Sequence, residues 1–167
     1  MKARTQLVIL VFAAAIIIVS GCSDKKIVQD VDADISSDDP DKGSVTIQRE
    51  NGEQTLSTEG ELPKGFPKDI PLPEGAVILA TSKSTDSGNI TVAFEAEQPF
   101  DEVKKLYEDY IASAGLTQSL EMMEDGYFMY SGTRGVNEII NITFSKDLEN
   151  EQMVSGALVF DKKPQNE

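Results

Sequence analysis

Between residues 100 and 114 the apolar side chains recur at a helical period. Phe100, Val103, Leu106, Tyr107, Tyr110, Ile111 and Ala114 follow one another in steps of three and one, so they share one stripe of an α-helix. Pro99 suits the first helical position and Gly115 the C-terminal stop. Asp101 and Glu102 fall at the positive end of the helix dipole. A helix with one apolar stripe must bury it against something, and the flanking sequence supplies strands. Ile90, Val92 and Phe94 alternate with Thr91, Ala93 and Glu95, and Ile140, Ile142 and Phe144 alternate in the same way. Strands are predicted at 76–83, 89–95, 117–123, 127–133, 137–146 and 152–161, with turns at 85–88 and at Asp125-Gly126. The order β-β-α-β-β-β-β predicts an α+β fold, a two-layer sandwich of one antiparallel sheet with the helix packed on a face.

This globular part is expected over residues 63–163, with a short tail at 164–167. It opens with LPKGFPKDIPLPEG, in which four prolines favour a stiff, extended strap. Phe66, Ile70 and Leu72 are spaced to pin that strap to the core. Residues 44–62 read as a β-hairpin and linker, with Asn51-Gly52 as the turn signal. Residues 22–43 are polar and acidic and bury too little apolar surface to fold, so a disordered tether is predicted there. Asp30, Asp32, Asp34, Asp38 and Asp41 match the spacing of a calcium loop. Ile35 stands where that loop needs Gly, however, and Pro40 intrudes, so the run reads as a solvated linker.

The N-terminus carries Lys2 and Arg4, then an unbroken apolar run from Leu7 to Val19. The run is shorter than the ~20 residues that span a bilayer and fits the core of an export signal. Val19-Ser20-Gly21-Cys22 follows, and these residues resemble the lipobox of bacterial lipoprotein precursors. The resemblance implies a signal peptide over 1–21, cleavage between Gly21 and Cys22, and lipidation of Cys22 as S-diacylglycerol with an N-acyl chain. Two or three acyl chains hold a protein stably on a membrane where one does not. Location on the cell membrane or outer membrane, facing away from the cytoplasm, would follow. A second resemblance covers about residues 63–163. The strap FPKDIPLPEGA, a strand pair and FDEVKKLYEDYIASAGL are similar to a module of uncharacterised bacterial lipoproteins and exported proteins. Its motifs are structural and imply no functional residues.

Charge and composition narrow the function. The formal net charge is −14, and loss of Lys2 and Arg4 with the leader takes it to −16. Such a surface repels phosphate backbones, so no nucleic-acid partner is expected. The chain has no His and one Cys. That excludes Ser–His–Asp and Cys–His catalysis and His/Cys zinc sites. No catalytic residue, metal ligand or cofactor-binding residue is therefore assigned, and no cofactor is expected. Glu121, Glu124 and Asp125 flank a turn and read as solvated carboxylates. Met122, Met123, Met129 and Met153 read as gap-fillers of the core rather than a soft-metal site. Tyr107, Tyr110, Tyr127, Phe128 and Tyr130 read chiefly as core, with a ligand groove between helix and sheet as the other reading. Lys104 and Lys105 read as solubilising, and the sequons at Asn89 and Asn141 are discounted because they lie in predicted strands. The expectation is a non-enzymatic, lipid-anchored envelope protein that binds an envelope partner or serves an accessory role. A module binding a small ligand or cation is the alternative, and a carboxylate hydrolase a more distant one.

Overall fold

The computed structural model describes residues 33–36, 43–49 and 52–162. Cys22 and Gly21 of the lipobox lie outside the described residues, as do Asp30, Asp32, Asp38 and Asp41 of the tether. Among the described residues, nine strands form one antiparallel sheet. They are β1 (Ala33–Ser36), β2 (Ser44–Arg49), β3 (Gly52–Ser57), β4 (Val77–Ser84), β5 (Ile90–Ala96), β6 (Thr117–Glu124), β7 (Tyr127–Arg134), β8 (Glu138–Lys146) and β9 (Val154–Lys162). The spatial order is β1-β2-β3-β4-β5-β9-β8-β7-β6, so β9 is inserted between β5 and β8. The helix α1 (Phe100–Ser113) crosses from β5 to β6.

The two-layer α+β sandwich, β-β-α-β-β-β-β, expected from the sequence is not what the chain builds. Among the described residues the fold is mainly β, with one short helix. Two physical facts account for the difference. First, the hairpin treated as a separate segment joins the sheet: Gln54 pairs with Ser84 and Ser57 with Thr81. A further strand lies within the expected tether, where Ala33 pairs with Ile47 and Ser36 with Ser44. Second, strands lie ~4.8 Å apart, so nine of them span about 38 Å, whereas a helix is about 10–12 Å across. One helix cannot form a second layer over such a sheet.

The helix obeys its sequence signals. Asp101 and Glu102 occupy the first turn, the Ala114 N–H donates to the Tyr110 carbonyl, and Gly115 takes φ +65°, the left-handed conformation that stops helices. Val103, Tyr107 and Tyr110 are its buried residues. The strap supplies the rest of the cover. Three successive turns begin at prolines: the N–H groups of Phe66, Ile70 and Ala76 donate to the carbonyls of Pro63, Pro67 and Pro73. Each turn fixes the chain direction, and Phe66 and Ile70 are driven into the core while Leu72 packs at its margin.

The core lies on one face of the sheet. Ile90, Val92 and Phe94 of β5, Val154, Leu158 and Phe160 of β9, Ile140, Ile142 and Phe144 of β8, and Phe128 and Tyr130 of β7 all point to it. The opposite face carries half-buried residues such as Ala93, Ala157, Thr143 and Met129. The methionines depart from their expected place. Met122 and Met123 are exposed on β6, and Met129 and Met153 are half-buried. The helix does not extend over β6, so a methionine there has nothing to pack beneath.

Candidate functional site

The most distinctive chemistry sits where α1 meets the middle of the sheet. Phe94, Gly156 and Phe144 lie side by side across β5, β9 and β8. A Cβ at Gly156 would stand 2.7 Å from Phe94 Cζ and 2.7 Å from the Thr143 carbonyl oxygen. The glycine therefore opens a hollow in the sheet surface that the Phe94 ring fills. Tyr107 descends from the helix onto this row, its ring centroid 6.5 Å from Phe94 and 5.5 Å from Phe144. Phe100 meets Phe144 at 5.2 Å, and Phe128 stacks on it at 5.0 Å. The rings of Phe94, Phe100, Tyr107, Phe128 and Phe144 thus form one aromatic cluster between helix and sheet.

Two hydroxyls sit within this apolar face. Tyr107 Oη and Tyr130 Oη are both buried, and neither has a hydrogen-bond partner among the described residues. Tyr130 lies along its own strand over Gly132, where a Cβ would come within 2.6 Å of the hydroxyl. Burial raises the Tyr107 pKa well above the ordinary phenol value. Tyr130 is raised too, by burial first and then by the charge of Glu121. Both remain neutral O–H groups that can donate one hydrogen bond and accept others. A buried hydroxyl left unsatisfied costs about 1–3 kcal/mol, so native proteins rarely keep one.

A polar cluster ties the strap to the body beside this region. Asp69 of the strap accepts from Arg134 and, at 3.3 Å, from Tyr110 Oη. Arg134 Nε also donates to Glu138 at 2.8 Å, and Lys162 Nζ lies 3.5 Å from the other Glu138 oxygen. Burial alone would raise the Asp69 pKa, but the Arg134 hydrogen bond and charge outweigh it and hold the carboxyl below its ordinary value. Burial, reinforced by the Asp69 charge, pushes Tyr110 up to about 12.

The remaining expected residues fall elsewhere. Tyr110 and Phe128 are buried, whereas Tyr127 is half-buried on the opposite face of the sheet. Glu121, Glu124 and Asp125 are exposed. Lys104 and Lys105 pair along the helix with Glu108 and Asp109. Among the described residues, no group of three or more His, Cys, Asp or Glu is placed to hold a metal ion. No described helix is long and apolar enough to cross a membrane. Sequence reasoning missed Gly156, Gly132 and the Asp69–Arg134 contact. The last joins residues 65 apart, and no local pattern announces it.

A family model described as START domain-like matches residues 78–155, just under half of the chain. The matched span runs from β4 through α1 to the start of β9 and so includes the aromatic cluster. The likeness is compatible with a non-enzymatic binding module. No curated protein and no solved structure matches the chain.

Proposed function

We propose that this protein is a lipid-anchored module of the cell envelope that binds an amphipathic small molecule between its helix and its sheet and catalyses no reaction. The buried, unpartnered hydroxyls of Tyr107 and Tyr130 carry this reading. An amphipath laid on this face would place its apolar part against the rings. One polar atom of the guest could then accept from, or donate to, a phenol. Helix and strap would have to yield to admit it. The strap is not a strand of the sheet and is held to the body by Phe66 and Ile70 in the core and by the Asp69 contacts, so it is the element proposed to move. The START domain-like match over 78–155 supports a lipid or small-molecule guest. The non-enzymatic reading rests on the absence of His from the chain.

The anchoring half of the proposal rests on Val19-Ser20-Gly21-Cys22 after the apolar run. Lipid on Cys22 would supply the attachment that an acidic surface opposes at an anionic membrane. Mass spectrometry of the N-terminal peptide of the mature protein tests it. The expected result is a diacylglyceryl-modified Cys22 at the new N-terminus; an unmodified Cys22, or cleavage elsewhere, would contradict it. For the binding half, the protein purified from membranes is examined by native mass spectrometry after exposure to a total lipid extract. A non-covalent adduct of lipid mass, released on denaturation, is expected. A bare protein mass after that exposure would overturn the proposal.

A further inference from the structure

The strand β6 forms one edge of the sheet. It is the last in the order, paired with β7 on one side only, and all eight of its residues are exposed. Three of the seven exposed large apolar side chains among the described residues stand on it: Leu120 and Met123, each 46% exposed, and Met122, 44% exposed. By register, Leu120, Met122 and Glu124 share one face with the half-buried Ser131, Met129 and Tyr127, and Glu121 and Met123 share the other with the buried Tyr130 and Phe128. A register shift between Gln118 and Leu120 interrupts the strand at Ser119. A bulge of this kind blunts one part of an edge, which leaves Leu120–Glu124 as a regular stretch with outward N–H and C=O groups.

We infer that Leu120–Glu124 is a strand-addition site for an extended segment of another protein in which basic residues stand among apolar ones. Charge complementarity selects this occupant. The segment from Thr117 to Gly126 holds Glu121, Glu124 and Asp125 and no basic residue. A second copy of the strand would bring its own glutamates into the same interface, and like charges across strands are unfavourable. The chain's own residues 22–42 hold seven Asp against three Lys, so their net charge opposes the glutamates of β6. An antiparallel partner that answers Glu124, Met123, Met122, Glu121 and Leu120 in turn reads Lys-Val-Val-Lys-Val, with each lysine opposite a glutamate. Backbone pairing supplies the attachment and the alternating side chains the selectivity. The flexible methionines suit a partner surface of imperfect fit.

The test uses the full chain in detergent and two blocked peptides, Thr-Lys-Val-Val-Lys-Val-Thr and its counterpart with glutamate in place of lysine. Fluorescence anisotropy reads binding, and hydrogen exchange reads the β6 amides. The lysine peptide should bind and slow exchange across Leu120–Glu124, and the glutamate peptide should not. Glu121→Lys with Glu124→Lys should weaken the lysine peptide about tenfold, since two attractive cross-strand pairs become repulsive ones. The same variant should gain affinity for the glutamate peptide. The Glu121→Gln, Glu124→Gln pair, isosteric and uncharged, should weaken binding by an intermediate factor and guards against misfolding of the reversed variant. Equal binding of both peptides, protection elsewhere than β6, or no binding would overturn the inference. So would protection, in the free chain, of those β6 amides that face away from β7, either at all concentrations (a segment of the same chain covers the edge) or only at high ones (a second copy does).

Discussion

Strands β8 and β6 lie in one sheet with only β7 between them, yet they meet opposite fates. Ile140, Ile142 and Phe144 of β8 are buried beneath α1, while every residue of β6, including Leu120, Met122 and Met123, is exposed. The difference does not lie in backbone pairing, because both strands are hydrogen-bonded antiparallel to β7. It lies in cover. The helix reaches Phe94 and Phe144 through the Tyr107 ring, and no ring of α1 makes such a contact with β6 among the described residues. An apolar side chain on a strand is thus buried by what stands over the strand, and here one helix and one strap stand over a sheet several times wider than either.

The largest expected effect separates these two strands directly. Phe144→Ala removes a ring that contacts Phe100, Tyr107 and Phe128, and should cost about 3–5 kcal/mol. Met123→Ala on β6 should change stability by less than about 0.5 kcal/mol. Urea unfolding of both variants checks the contrast, and similar losses for the two would erase it. Gly156→Ala comes next. The added methyl would meet the backbone oxygen of Thr143 as well as Phe94, so the strand cannot yield by a rotamer change alone, and a loss of about 1–3 kcal/mol is expected in the same assay.

Tyr107→Phe should act in the other direction. It deletes a buried hydroxyl that has no described partner, and should stabilise the ligand-free protein by about 1 kcal/mol, read as a rise in Tm. The smallest effect concerns the strap. Asp69 sits below its ordinary value of 3.8 in the folded chain, so its ionised form favours folding. That contribution is present in full above 3.8 and is lost as pH falls through the lower folded value. Asp69→Asn should therefore be less stable than the parent at neutral pH and converge on it in acid. The Asp69 side chain is half exposed, so the gap should stay below about 1 kcal/mol. Urea midpoints measured from neutral to strongly acidic pH read it.

Much of the secondary structure was legible because its signals are local. The stripe from Phe100 to Ala114, the stop at Gly115 and the alternation in β5 and β8 each act within a few residues. The class of fold was not legible, because it depended on whether Gly52–Ser57 would pair with Val77–Ser84. The linker between them, 58–76, gives no local sign of that pairing. The four-methionine reading failed at Met122 and Met123 for a related reason: composition favours burial, but position at a sheet edge denies it. Tyr107 was placed correctly on the buried stripe. That its hydroxyl would find no partner depends on which side chains arrive from β5 and β8, and Gly156 shapes that arrival from a third strand.

The binding of an amphipath at the buried hydroxyls is tested most directly by titrating cis-parinaric acid into the wild-type chain and into the Tyr107→Phe, Tyr130→Phe double variant, with fluorescence as the readout. Saturable binding to the wild type is expected, with affinity reduced about tenfold in the variant, the loss of roughly one hydrogen bond in an apolar site. The variant's thermal stability should rise at the same time. No saturable binding to the wild type, or equal affinity in the two proteins, would contradict a ligand site between helix and sheet.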